Sequence, residues 1–216
     1  MKKSEVEKYL AKGFKASFLK DYKKTKYSFV KLLDELYYSF GFVTLNLDSY
    51  FPATFRFSVG SKKVKALLEN ILPKKFKNIS ENEYPPAIFL GQIKLFDEGK
   101  YPTLEYGIYT ETDAQKMVDE VSAYILNEVL PEWEANPTLE YLEKKVNENL
   151  TDVPNFSGLI LAKLIGRNPK YESIKQHFTN TSKDWNDWDK KDLEKVIEFL
   201  DNHSQEELLK IAENPA

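Results

Sequence analysis

Phe51-Pro-Ala-Thr-Phe-Arg-Phe-Ser-Val59 is the stretch on which the fold turns. Phe51, Ala53, Phe55, Phe57 and Val59 fall on one side of an extended chain, with Thr54, Arg56 and Ser58 on the other. A period of two marks a strand with one dry face and one wet face. Upstream, Tyr27-Ser-Phe-Val30 and Leu36 to Leu47 have the same density of aromatic and branched residues, which suits pleated backbone. Successive strands of this kind, joined by short turns, form an antiparallel meander whose dry face needs a cover. In the second strand the apolar parity changes from Phe40 and Phe42 to Val43, Leu45 and Leu47 around Gly41. A bulge at Gly41 accounts for the change, and a strand covered on both faces would need none.

The cover is legible on both sides of the strands. Ser4 and Glu7 have capping-box spacing ahead of an apolar stripe, Val6, Leu10, Phe14 and Leu19, interrupted by Gly13. The basic run Lys20 to Lys26 ends that helix. Ser61 caps a helix carrying Val64, Leu67, Leu68 and Ile71, which Pro73 stops. Lys74 to Pro86 reads as loop, followed by strands at Ala87 to Phe96 and Leu104 to Tyr109 with a turn at Asp97 to Lys100. Thr110 or Thr112 opens the strongest helix, lined by Ala114, Met117, Val118, Val121, Ile125 and Val129 and ended by Pro131. Pro137-Thr138 restarts a shorter one with Leu139, Leu142 and Val146. Beyond Thr151-Asp-Val-Pro154 the chain reads as helical throughout, with Gly166 closing one helix and Ser204 to Glu207 opening the last. The expectation is an α+β domain over residues 1–150, an antiparallel sheet of about five strands covered by helices. A helical C-terminal extension over residues 151–216 packs on it.

Composition narrows the chemistry. The 216 residues are 42% hydrophobic and 14% aromatic, enough to build a core. There is no cysteine, which removes disulfides, thiolate catalysis and cysteine-ligated zinc. The N-terminus is charged, and the longest apolar run, Gly158 to Ile165, contains Lys163, so a cytoplasmic protein without a membrane span is expected. Residues 1–80 hold 17 Lys+Arg against 7 Asp+Glu, and the remainder 14 against 27, so the net charge of −3 hides a basic first part and an acidic second part. Such a split suits an anionic partner, or simply a dipolar molecule.

No catalytic constellation stands out. His177 and His203 each sit alone in polar helical sequence, with no Gly-x-Ser-x-Gly, His-Glu-x-x-His, Walker loop or Gly-x-Gly-x-x-Gly. The carboxylates from Asp184 to Asp189 lack the spacing of a calcium loop. No metal or cofactor is implied, and an enzyme would have to use scattered carboxylates in an unrecognised pocket.

Two stretches invite a partner. In Lys20-Asp-Tyr22-Lys-Lys24-Thr-Lys26-Tyr27 lysines interleave with aromatics, so Lys20, Lys23, Lys24, Lys26 and Arg56 are candidates for weak nucleic-acid binding. Core packing explains the same aromatics more simply. Trp185 and Trp188, flanked by Asp184 and Asp187, are either an exposed anchor for another protein or the seam that docks the tail.

The order of elements resembles a family of bacterial cytosolic proteins classed as a domain of unknown function. The resemblance covers about residues 1–150. It rests on Lys26-Tyr-Ser-Phe-Val-Lys31, Phe55-Arg-Phe-Ser-Val-Gly60, Tyr106-Gly-Ile-Tyr-Thr-Glu-Thr-Asp-Ala114, and Leu130-Pro-Glu-Trp133 with Thr138-Leu-Glu140. It implies an α+β fold and carries over no catalytic residue. The functional expectation is a non-enzymatic cytosolic protein-binding module, of the kind an immunity or accessory factor would be.

Overall fold

The alternating segment is the longest strand of the sheet. The computed structural model describes residues 1–25, 28–76, 105–148, 150, 152 and 155–214. Among these, five strands pair in sequence order into one antiparallel sheet: β1 (Lys23–Lys24), β2 (Phe29–Leu32), β3 (Leu36–Thr44), β4 (Phe51–Ser61) and β5 (Glu105–Ile108). The expected strand at Ala87 to Phe96, its turn, and Lys26 and Tyr27 lie outside the described residues. Lys23–Lys24, inside the basic run, is a strand that the sequence reading did not expect.

By contact, the chain divides into two compact units that interleave along the sequence. In their described parts, Met1–Leu33, Tyr37–Val59 and Phe89–Pro137 form the first unit, and Asp34–Leu36, Gly60–Ile88 and Thr138–Ala216 the second.

In the first unit, helices α1 (Lys3–Ser17), α4 (Glu111–Tyr124) and α5 (Leu130–Ala135) cover one face of the sheet. Phe40, Phe55 and Phe57 point to that face and meet Phe14 from α1, Phe18 just after it and Trp133 from α5 at ring-centroid distances of 4.8–6.3 Å. Tilted and edge-on arrangements of this kind suit the ring quadrupole and add to area burial. The glycine that interrupts the α1 stripe has a use. A Cβ on Gly13 would stand 2.7 Å from Val118 Cγ2, so the glycine permits α1 and α4 to approach closely.

Several expectations need correction. Helix α1 starts earlier than Ser4: Lys2 is its N-cap residue, and the Glu5 carboxylate accepts from the Lys2 N–H at 2.6 Å. Glu7, assigned above to the cap, instead accepts from Thr44 Oγ1 at 2.7 Å. There is no bulge at Gly41. Strands β3 and β4 bond with one constant offset at both ends, from Lys62 N to Glu35 O and from Leu45 N to Pro52 O, so no residue is inserted between. The dry face of β3 runs straight through Tyr38, Phe40, Phe42 and Thr44. Pro131 does not end its helix either. Residues Ile125–Val129 form a π-helical turn, with Leu130 N–H donating to Ile125 O, and the axis continues into α5. The wider turn accommodates the proline ring and its missing donor.

The second unit is helical: α2 (Lys62–Ile71), α3 (Pro73–Phe76), α6 (Leu139–Asn147), α7 (Phe156–Leu164), α8 (Asn168–Thr181), α9 (Asp187–Asp201) and α10 (Gln205–Glu213). Ser61, Thr138 and Ser204 cap α2, α6 and α10 as their sequence predicts. All residues of α7 except Lys163 are buried, the expected state of a helix that is apolar all round. Gly166, with φ +73°, terminates it in the left-handed conformation that glycine tolerates best. Among the described residues, no helix is long and apolar enough to cross a membrane.

Candidate partner-binding surfaces

The start of α9 is built from local capping chemistry. Asn186 Oδ1 accepts from the N–H groups of Trp188 and Asp189, both at 3.0 Å, and its Nδ2 donates to Asp189 Oδ2 at 2.7 Å. Lys75 of α3 then ties the first turn down, with Nζ 3.4 Å from Asp189 Oδ1 and 3.0 Å from Asp192 Oδ2. On this fixed turn Trp188 is 82% exposed. Its neighbour behaves differently. The Trp185 indole N–H donates to the Asp152 carbonyl at 2.6 Å, and its ring packs on Phe178 at 5.7 Å. The pair thus divides its roles: Trp185 docks within the unit, and Trp188 projects. Asp184 and Asp187 are exposed, as are Lys183 and Lys191 nearby in sequence, and none of the four side chains makes a hydrogen bond or ion pair among the described residues.

The basic candidates do not converge. Lys20, Lys23, Lys24 and Arg56 are exposed, but adjacent Lys23 and Lys24 pair with Val30 and Phe29 and so point to opposite faces of the sheet. Arg56 stands three strands away on β4. The rings that would stack on bases are inside the protein: Tyr37 is 1% exposed, and Tyr22 lies edge-on to Phe40 at 5.4 Å with Lys31 Nζ over its face. Burial, and after it the Glu134 carboxylate, pushes the Tyr22 hydroxyl above its ordinary range, and the same causes raise Tyr38 to about 12. Tyr38 Oη has no hydrogen-bond partner among the described residues.

The sheet face opposite the aromatic core is where the sequence reading missed a surface. Val43, Leu45 and Leu47 alternate onto it and are exposed, Leu45 at 57%. Beside Leu47, across the hairpin, Tyr50 stacks on Tyr109 at 5.1 Å and 18°, and both rings lie over Gly107, which has no side chain to displace them. Tyr109 is 58% exposed. Thr54 and Arg56 continue the same face, and the Arg56 side chain makes no hydrogen bond or ion pair among the described residues. Towards Tyr37 and Ser58 this face becomes buried. The signal is present in the sequence as a second apolar parity, which the sequence reading assigns to a bulge at Gly41 or to a strand covered on both faces.

Polar clusters in the second unit are tied by ion pairs and hydrogen bonds. In the second unit Glu143, 1% exposed, accepts from Arg167 Nη1 at 2.8 Å and from Asn147 Nδ2 at 2.9 Å, and Asn147 also donates to the Gly158 carbonyl at 3.1 Å. An open depression of about 500 Å³ along α8 is lined by Glu172, Ser173, Lys175, Gln176 and Thr179. Lys175 is tied to Asp201 at 2.7 Å, and Asp201 also accepts from the Tyr171 hydroxyl at 2.8 Å. The Asp201 hydrogen bond holds Lys175 above its usual range. Burial pushes the Asp201 carboxyl up, but the bonds from Lys175 and Tyr171 outweigh it and hold it low. Each partner is therefore locked in its charged form, which does not suit proton transfer. His203 Nδ1 lies 2.8 Å from the Phe199 carbonyl, so that nitrogen carries the proton, and His177 Nε2 is 3.8 Å from Asp152. Among the described residues no three His, Asp or Glu side chains converge to hold a metal ion. Comparison of the chain with protein-family models, curated proteins and solved structures finds no match.

Proposed function

We propose that the protein is a non-enzymatic module that binds another polypeptide, with Trp188 as the anchor. The supporting observation is the exposure of Trp188 on a turn whose backbone is fixed by Asn186 and Lys75. Tryptophan is usually buried, and a large rigid ring held in water by a capped helix start is already organised for insertion into a partner's pocket. Asp184, Asp187, Lys183 and Lys191, exposed in the same stretch, supply polar groups of mixed charge of the kind that make up interface rims.

The test is a comparison of tagged wild-type chain and Trp188→Ala as baits in lysate of the source cell, with nuclease and a high-salt wash. A polypeptide retained by the wild type and lost with Trp188→Ala supports the anchor, with an affinity cost of about 2 kcal/mol or more. Equal retention by both baits overturns it.

A further inference from the structure

We propose that the open sheet face of the first unit, formed by Val43, Leu45, Leu47, the Tyr50–Tyr109 stack and Arg56, docks an acidic amphipathic polypeptide segment. This surface is independent of Trp188.

Geometry and charge lead to that occupant. Antiparallel pairing places Leu45 beside Pro52 and Gly107, and Leu47 beside Tyr50 and Tyr109, so the aliphatic and aromatic groups form adjoining rows. Isolated exposed leucines are ordinary, whereas a contiguous apolar strip rimmed by polar groups marks an interaction site. Arg56 follows Thr54 on the same face, opposite Gly41 and diagonal to Val43, and its side chain has no hydrogen-bond or ion-pair partner among the described residues. A molecule that covers the strip and extends along β4 past Thr54 also takes Arg56 out of water. An unpaired buried guanidinium is costly, so the occupant must supply a carboxylate, for which the planar fork of arginine is well matched. The partner chemistry is thus apolar side chains for the leucine and tyrosine rows with acidic residues alongside. Nucleic acid fits less well, because three aliphatic side chains offer nothing to phosphates or base edges.

The experiment uses the full chain and fluorescence anisotropy with three labelled probes. These are an amphipathic Leu/Glu peptide, a Leu/Lys peptide of identical apolar spacing, and a single-stranded oligonucleotide. The Leu/Glu peptide is expected to bind about tenfold or more tightly than the Leu/Lys peptide, with Arg56→Glu reversing the order. Leu45→Ser combined with Leu47→Ser is expected to weaken the Leu/Glu peptide to a similar degree, with an unchanged circular dichroism spectrum, since both positions are exposed. Trp188→Ala should leave this binding as it was. Indifference to the sign of the peptide charge, no effect of Arg56→Glu, or no peptide binding at all overturns the proposal. So does tighter binding of the oligonucleotide, or self-association in sedimentation that Leu45→Ser abolishes, which would give the face to nucleic acid or to a second copy of the chain.

Discussion

The two units reach stability by different means. The first packs rings: Phe14, Phe18, Phe40, Phe55, Phe57 and Trp133 meet over one face of a sheet, and few ionic ties enter that cluster. The second packs aliphatic helices around α7 and fastens them with charge-assisted bonds, Arg167 to Glu143, Lys175 and Tyr171 to Asp201, and Lys75 to Asp189 and Asp192. The first should therefore answer to volume and the second to charge and pH.

The sharpest test of that contrast is Phe55→Ala. Phe55 is fully buried among three rings, and its removal should cost about 3–5 kcal/mol in denaturant unfolding, with little dependence on salt or pH. In the second unit Arg167→Ala leaves the buried Glu143 carboxylate with Asn147 alone, and a loss of about 1–3 kcal/mol is expected. An equal effect at pH 7 of Arg167→Ala and Arg167→Met would show that charge is lost in both. Full recovery with methionine would mean that packing, not charge, holds the tie, and would break the contrast.

A smaller effect belongs to Asp201→Asn. The Asp201 carboxyl is held below its ordinary range, so its contribution is present above about pH 4 and is lost as pH falls through the folded-state value. With the side chain 38% exposed, solvent screening limits the loss at neutral pH to about 0.5–1 kcal/mol. The variant should also flatten the acid limb of a stability-against-pH curve, and an unchanged limb would remove Asp201 from the account. The smallest effect is expected at Trp188→Ala, within about 0.5 kcal/mol of wild type by thermal unfolding, because the ring has little to lose. A larger destabilisation would make Trp188 part of the structure and not an anchor.

Much of the fold was legible where one residue type carried one meaning. The alternation of Phe51 to Val59 specified β4, and Ser61, Thr138 and Ser204, with Thr110 as one of two candidates, marked helix starts because a side-chain oxygen there satisfies an otherwise orphaned N–H. Legibility failed where one residue type had two uses. Val43, Leu45 and Leu47 look like core, on a bulged strand or on one covered on both faces, because a sequence cannot distinguish an apolar row facing water from one facing a helix. The true dry face passes through Thr44, a polar residue whose hydroxyl is satisfied by Glu7 from α1, a contact no local pattern announces. Trp185 and Trp188 were flagged together, and only three-dimensional packing separated the docked ring from the projecting one.

The π-helical turn before Pro131 has a consequence for register along the helix. Val121, Ile125, Val129 and Trp133 are buried at steps of four, which an unbroken α-helix would let drift around its axis. The wider turn absorbs that drift and brings Trp133 back onto the side where it meets Tyr38, Phe40 and Phe57. Taking one residue out would swing Trp133 by about 100° and withdraw it from the ring cluster. Leu126, Asn127 and Glu128 are all exposed, so their side chains are open to change. In this turn the number of residues matters more than their identity.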